Sequence, residues 1–159
     1  PIPDIFEKLK INYYLYPKIH PLNVAVHPCS SSMVLYRPDP SKFLEYPDWV
    51  YGIASFDKNH LIKHNILEQD ILNIHVEAVH LMDIIKDNNL YDAEYLQIDT
   101  EGFDAEVIKM IDFKLWKPSL IRFELIHLKK GDFIEVCNIL RVHGYKITKC
   151  GMDAYAFLN

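Results

Sequence analysis

Two apolar runs in this sequence end on acids. Tyr95-Leu-Gln-Ile98 leads into Asp99-Thr-Glu101-Gly102, and Leu120-Ile-Arg-Phe123 leads into Glu124, with His127 three residues further on. Each run reads as a strand. In open α/β sheets, ligands bind outside the carboxyl ends of the strands. Asp99 and Glu101 are two apart, so both project to one side if the extended conformation persists. If the strands at 94–99 and 119–124 are neighbours, three carboxylates and an imidazole converge on one cleft.

Plainer roles compete for the same residues. An acid after a strand often caps the next helix or simply faces solvent. Converging carboxylates also repel, and need a metal, a proton or a cationic substrate to share a site. Oxygen donors without firm spacing do not define a metal site, and no metal ligand is assigned. Among the other histidines, His60 and His64 form the one tight pair, four apart on an expected helix, but without the Glu of an H-E-x-x-H arrangement. Tyr13-Tyr14-Leu15-Tyr16 reads as core and helix face, since a base-stacking platform needs basic neighbours that are sparse here.

The elements that position these residues alternate between strand and helix. Pro1-Ile-Pro-Asp4 with Glu7 signals a helix start, and Ile5, Phe6, Leu9, Tyr13 and Tyr16 continue it to the stop at Pro17. Strands are expected at Asn23–Val26, Met33–Tyr36 and Trp49–Ala54, with a loop from Arg37 to Asp48. A short helix from Asp57 to His64 precedes a strand at Ile74–Val79. A helix over Leu81–Asn88 ends in the turn at Asn88-Asn89. Asp104–Ile111 is a helix whose first-turn acids suit the helix dipole. Gly131-Asp132 with Glu135 begins another, with an apolar stripe of Phe133, Val136, Cys137 and Leu140 and a stop at Gly144. Tyr145–Thr148 and Ala154–Leu158, joined at Gly151, form a closing hairpin. The pattern predicts an α/β fold with helices on both faces of a sheet.

Composition narrows the function classes. The 159 residues suit one domain, 50% of them are hydrophobic, and the net charge is -5. An acidic balance argues against nucleic acid as the main partner. The three scattered cysteines, Cys29, Cys137 and Cys150, make neither a disulfide framework nor a zinc motif, so a reducing, cytoplasmic setting is the default. No stretch approaches the roughly 18 apolar residues of a membrane span.

The segment Tyr95-Leu-Gln-Ile-Asp-Thr-Glu-Gly-Phe-Asp-Ala-Glu-Val-Ile-Lys109 resembles the FkbM-type methyltransferases, in which a strand ends in a Leu-Lys-Ile-Asp-x-Glu-Gly pattern. Ile121-Arg-Phe-Glu124 is similar to the family's following strand. Val79–Ile85, Ala54-Ser-Phe56, Asn23–Val26 and the opening Pro1–Asn12 match family segments in order, so the resemblance covers nearly the whole chain. It implies a partial class I, Rossmann-like methyltransferase sheet and transfer of a methyl group from S-adenosylmethionine to a hydroxyl of a sugar, glycan or secondary metabolite. It implies that Asp99, Glu101 and Glu124 line the acceptor site. It also implies that Ile2 and Ala25 lie near adenine and that Asp99 approaches the methionine end.

One departure stands out. The family's first strand, its Asp-x-Gly-Ala-x-x-Gly cofactor loop and its second strand have no counterpart in these residues, and none of the five glycines forms a G-x-G. The resemblance therefore implies a single domain over 1–159 that is N-terminally truncated. Strands at 23–27, 74–80, 94–99 and 119–124 should share one sheet, yet without the central first strand that sheet should part in two. A fragment of this kind is expected to self-associate, to be weakly stable and to bind the cofactor poorly. A non-catalytic binding module of degenerate methyltransferase fold and a metal-dependent hydrolase are the alternative readings.

Overall fold

The computed structural model describes residues 1–29 and 31–159. They form two compact units, Pro1–Ala25 with Cys29–Val79, and Val26–Pro28 with His80–Asn159. No helix among the described residues is long and apolar enough to cross a membrane.

The first unit opens with helix α1, Pro3–Asn12. Pro3 occupies its first turn, where a missing N–H costs nothing. The residue before the helix is Ile2, which makes no side-chain cap, so Asp4 and Glu7 do not form the expected capping pair. Glu7 instead meets Lys10 at 2.8 Å, and Asp4 reaches the guanidinium of Arg37. The helix stops at Asn12, short of the expected Tyr16, and successive turns carry the chain onward, with Tyr16 N–H donating to Tyr13 O at 2.9 Å. A run of tyrosines holds a helix weakly, and Pro17 turns Tyr16 away from helical backbone. The tyrosine cluster is not core: Tyr14 and Tyr16 are 82% and 58% exposed.

A three-stranded sheet follows, in the order β1–β3–β2, from β1 (Ala25–Val26), β2 (Ser31–Pro38) and β3 (Ile71–Val79). Strands β2 and β3 are antiparallel, from Ser31 opposite Ala78 to Pro38 opposite Ile71. Pro38 is tolerated because β2 is an edge strand. The strand expected at 49–54 is instead a 3₁₀ helix, Asp48–Gly52, and a second one, Pro40–Glu45, lies within the expected loop. The spacing of Val50 and Ile53 explains the first: residues three apart eclipse on a 3₁₀ helix. Both are buried with Leu61 of helix α2 (Lys58–Lys63) and Ile66. Asp57 caps α2 by accepting from Asn59 N–H at 2.9 Å.

In the second unit, His80 caps helix α3 (Leu81–Asp87). Strand β4 (Tyr95–Ile98), helix α4 (Asp104–Lys109), strand β5 (Leu120–Glu124), helix α5 (Lys130–Val142), strand β6 (Tyr145–Cys150) and strand β7 (Asp153–Leu158) follow. Their sheet runs β4–β5–β7–β6. Strands β4 and β5 are adjacent and parallel, as expected, with Ile98 opposite Phe123. The closing hairpin is antiparallel and joins through β7 to β5. The single sheet expected to hold 23–27, 74–80, 94–99 and 119–124 is not formed. The strands fall into two sheets, because β4 is bonded to β5 alone and its other edge carries no ladder among the described residues.

Apolar alternation drives this second sheet. Ile121 and Phe123 are fully buried on one face of β5, against Ile108 of α4 and Val136 and Leu140 of α5. Burial of each such side chain is worth about 1.5–3 kcal/mol. Helix α5 starts without the expected side-chain cap. Its Glu135 pairs with Lys109 at 2.8 Å, and Glu106 does so at 2.9 Å, raising the Lys109 pKa. Trp116 donates through Nε1 to Ala93 O at 3.0 Å, and the Tyr145 hydroxyl donates to Pro118 O at 2.7 Å. Burial pushes that phenol up to about 12. No disulfide joins the three cysteines among the described residues.

The Asp4–Arg37 pair gives the first unit a pH-sensitive support. Arg37 is almost fully buried, whereas Asp4 is half exposed. Hydrogen bonding from the guanidinium holds the Asp4 carboxyl below its ordinary value. A lowered folded-state value means that the stabilisation is complete above the carboxylate range and fades as pH falls through the lowered value. In urea unfolding, Asp4→Asn should cost about 1–2 kcal/mol at neutral pH, less than a fully buried pair because solvent screens Asp4. It should also flatten the loss of stability on acidification below about pH 4.

Candidate active site

Strand β4 ends at Ile98, so the backbone is no longer extended at Glu101. Glu101 and Gly102 both have positive φ, 51° and 96°, and Phe103 N–H donates to Thr100 O at 3.2 Å. Positive φ at both central residues is the pattern of a type I′ turn. The expectation that strand alternation would place Asp99 and Glu101 on one side is therefore replaced: a turn, not a pleat, directs Glu101. Gly102 is needed twice over. Its φ suits glycine, and a Cβ there would lie 3.0 Å from His127 O and 3.3 Å from His127 Cβ. The loop after β4 thus presses directly on the loop after β5.

The second loop is equally short. Leu125 N–H continues the ladder to Met152 O at 2.8 Å, then Leu128 N–H closes a turn onto Leu125 O at 3.2 Å. That turn carries His127 back beside Glu124. Its Nδ1 lies 2.9 Å from Glu124 Oε2 and 3.2 Å from Glu101 Oε2. All three side chains are partly buried, and their ligating atoms lie within 4.8 Å of one another.

Beneath them sits Asp104, the first residue of α4 and completely buried. One carboxylate oxygen accepts from Glu124 N–H at 3.1 Å; the other accepts from the Thr100 hydroxyl at 2.9 Å and Thr100 N–H at 3.3 Å. A single carboxylate therefore ties together the two loops that bear Glu101 and Glu124. Phe103, beside it, stacks on His27 with ring centroids 5.4 Å apart. Arg122, one strand position pair before Glu124, is held by Asp153 at 2.7 Å.

The structure thus brings Glu101, Glu124 and His127 into one cluster. Asp99 follows Ile98, one step beyond the last paired position of β4 and β5. It is exposed, with no hydrogen-bond partner among the described residues. Ile2 and Ala25 lie in the first unit, 6% and 7% exposed, in an apolar cluster with Leu35, Val76 and Ala78. Sequence reasoning noticed His127 but gave it no role, and it read Asp104 only as a helix-dipole residue. The signal for Asp104 was a hydroxyl residue four positions before it, at Thr100.

The chain matches the family model "Methyltransferase FkbM domain" over residues 1–147. It belongs to the FkbM methyltransferase family. No curated protein and no solved structure matches it. The family assignment makes this a methyltransferase domain, and the two acid-bearing loops are where its α/β sheet would place a ligand.

Two substitutions probe the scaffold. Gly102→Ala should lower stability by about 1–3 kcal/mol, combining the positive φ with the close contact to the His127 backbone. Asp104→Ala should cost about 2–4 kcal/mol, since it orphans two backbone donors and a hydroxyl. Chemical denaturation of each variant measures both effects.

Proposed function

We propose that the protein carrying this domain transfers the methyl group of S-adenosylmethionine to a hydroxyl oxygen of a sugar, glycan or other small-molecule acceptor, and that Asp99, Glu101 and Glu124 line the acceptor site. The observation that carries this reading is the meeting of Glu101 and Glu124 at the carboxyl ends of parallel β4 and β5, in a chain of the FkbM family. A hydroxyl entering there finds carboxylates that accept its hydrogen bond. Asp99, which is exposed and unengaged, takes the proton as the oxygen reacts. Glu101 and Glu124 orient the acceptor, because they are already drawn together on His127. Ile2 and Ala25, expected beside adenine, are covered by their own apolar cluster and offer an adenine ring little open surface.

That same closure favours the second reading, a binding module that retains the acceptor loops without methyl transfer. Transfer of a labelled methyl group to a panel of hydroxyl-bearing glycans separates the two, since a binding module gives no labelled product. In an active protein, Asp99→Asn should lower kcat by about 10²–10⁴-fold and leave the unfolding midpoint in place. Parallel losses of activity and stability would assign Asp99 a structural role instead. For the isolated 159-residue chain, calorimetric titration should show no S-adenosylmethionine binding in the micromolar range.

A further inference from the structure

Glu101, Glu124 and His127 come from two loops of one unit and present two carboxylates and an imidazole to one point. They are partly rather than freely exposed, with side chains 33%, 18% and 26% accessible. Both carboxylates address the same ring nitrogen, Nδ1, which carries at most one hydrogen and so serves one of them at a time. The trio therefore gathers two acidic groups around one ring nitrogen, on loops fixed by Asp104 and by the Gly102–His127 contact.

We propose that Glu101, Glu124 and His127 bind one divalent first-row metal cation. The donor set is mixed, two carboxylate oxygens and one imidazole nitrogen. All-oxygen sites suit Mg²⁺ and Ca²⁺ and thiolates suit softer ions, whereas this mixture suits the intermediate ions. The spacing agrees. An ion about 2.0–2.2 Å from each donor sets neighbouring donors about 3–3.5 Å apart. His127 Nδ1 stands 2.9 Å from Glu124 Oε2 and 3.2 Å from Glu101 Oε2. All three donor atoms lie within 4.8 Å of one another, so a cation placed among them is within reach of each once the side chains adjust. Three protein ligands leave further positions open to water or a ligand oxygen, as catalytic sites do and closed structural sites do not. The site stands on these side chains alone and does not depend on methyl transfer being the reaction. If the acceptor is a hydroxyl, its oxygen is the ligand chemistry that fits the open position.

Mn²⁺ titration of the chelator-treated 159-residue chain, read by electron paramagnetic resonance, tests the site. Mn²⁺ is the better probe because the exposed thiols of Cys29 and Cys150 offer zinc other places to bind. One equivalent should bind with a Kd below about 1 mM. Glu101→Gln and His127→Ala should each weaken binding at least about tenfold, and Glu94→Gln, on the exposed residue before β4, should not. If His127→Ala does not fold by circular dichroism, Glu101→Gln decides alone. Absence of saturable binding, or binding that Glu101→Gln leaves unchanged, overturns the proposal. The readout needs no acceptor and no methyl donor, so its failure leaves the methyl-transfer assay intact, and failure of that assay leaves this test intact.

Discussion

A buried carboxylate, that of Asp104, holds the site together. It has no exposed surface and accepts hydrogen bonds from Thr100 on one loop and from Glu124 on the other. Each charge-assisted bond of this kind is worth about 1.5–3 kcal/mol, and an unpaired carboxylate in the same place would be strongly unfavourable. The protein cannot keep Asp104 buried without keeping both loops where they are. Its position on the first turn of α4 adds the favourable end of the helix dipole. The geometry of Glu101 and Glu124 is thus fixed through backbone groups at Thr100 and Glu124, while their carboxylates meet His127.

Glu101 shows what that arrangement costs. A non-glycine residue at φ 51° gives up of order 1 kcal/mol or more. It persists because its neighbours leave no alternative: Thr100 is tied to Asp104, Gly102 is pressed against His127, and Phe103 closes the turn. Strain of this sort gathers where a side chain must be aimed. Here it aims Glu101 at His127.

The sequence displayed the periodic parts of this structure and hid the aperiodic ones. Strands β4 and β5, their parallel pairing, helices α3 to α5 and the final hairpin were legible, because apolar alternation and glycine stops are local signals. The 3₁₀ helix at Asp48–Gly52 was not: Trp49–Ala54 is an apolar run, and short apolar runs do not reveal their period. Tyr13 and Tyr16 continue the helical spacing of Ile5, Phe6 and Leu9, yet propensity and Pro17 end the helix before them. At the site, the acids were visible as residue types. Their convergence followed from pairing the two strands, but the means of it did not, because Glu101 is placed by a turn and His127 by contact with Gly102, both set by tertiary packing. The role of Asp104 needed knowledge of which backbone groups would be buried beside it.

The proposed methyl transfer divides its chemistry between the cluster and Asp99. Glu101, Glu124 and His127 are partly shielded and lie within 4.8 Å of one another, so on the proposed reading they form the group that holds a cation or a polar ligand. Asp99 sits at the tip of β4, the edge strand of its sheet, where no neighbour covers it among the described residues. An exposed carboxylate is poorly placed to bind tightly by itself, since water competes for every bond it makes. On the proposed reading, with the ligand held by the cluster, the same exposure is useful, because the carboxylate can accept a proton and return it to solvent. The separation follows from the sheet order: Glu124 ends an interior strand and is packed between neighbours, while Asp99 ends an edge strand and is not.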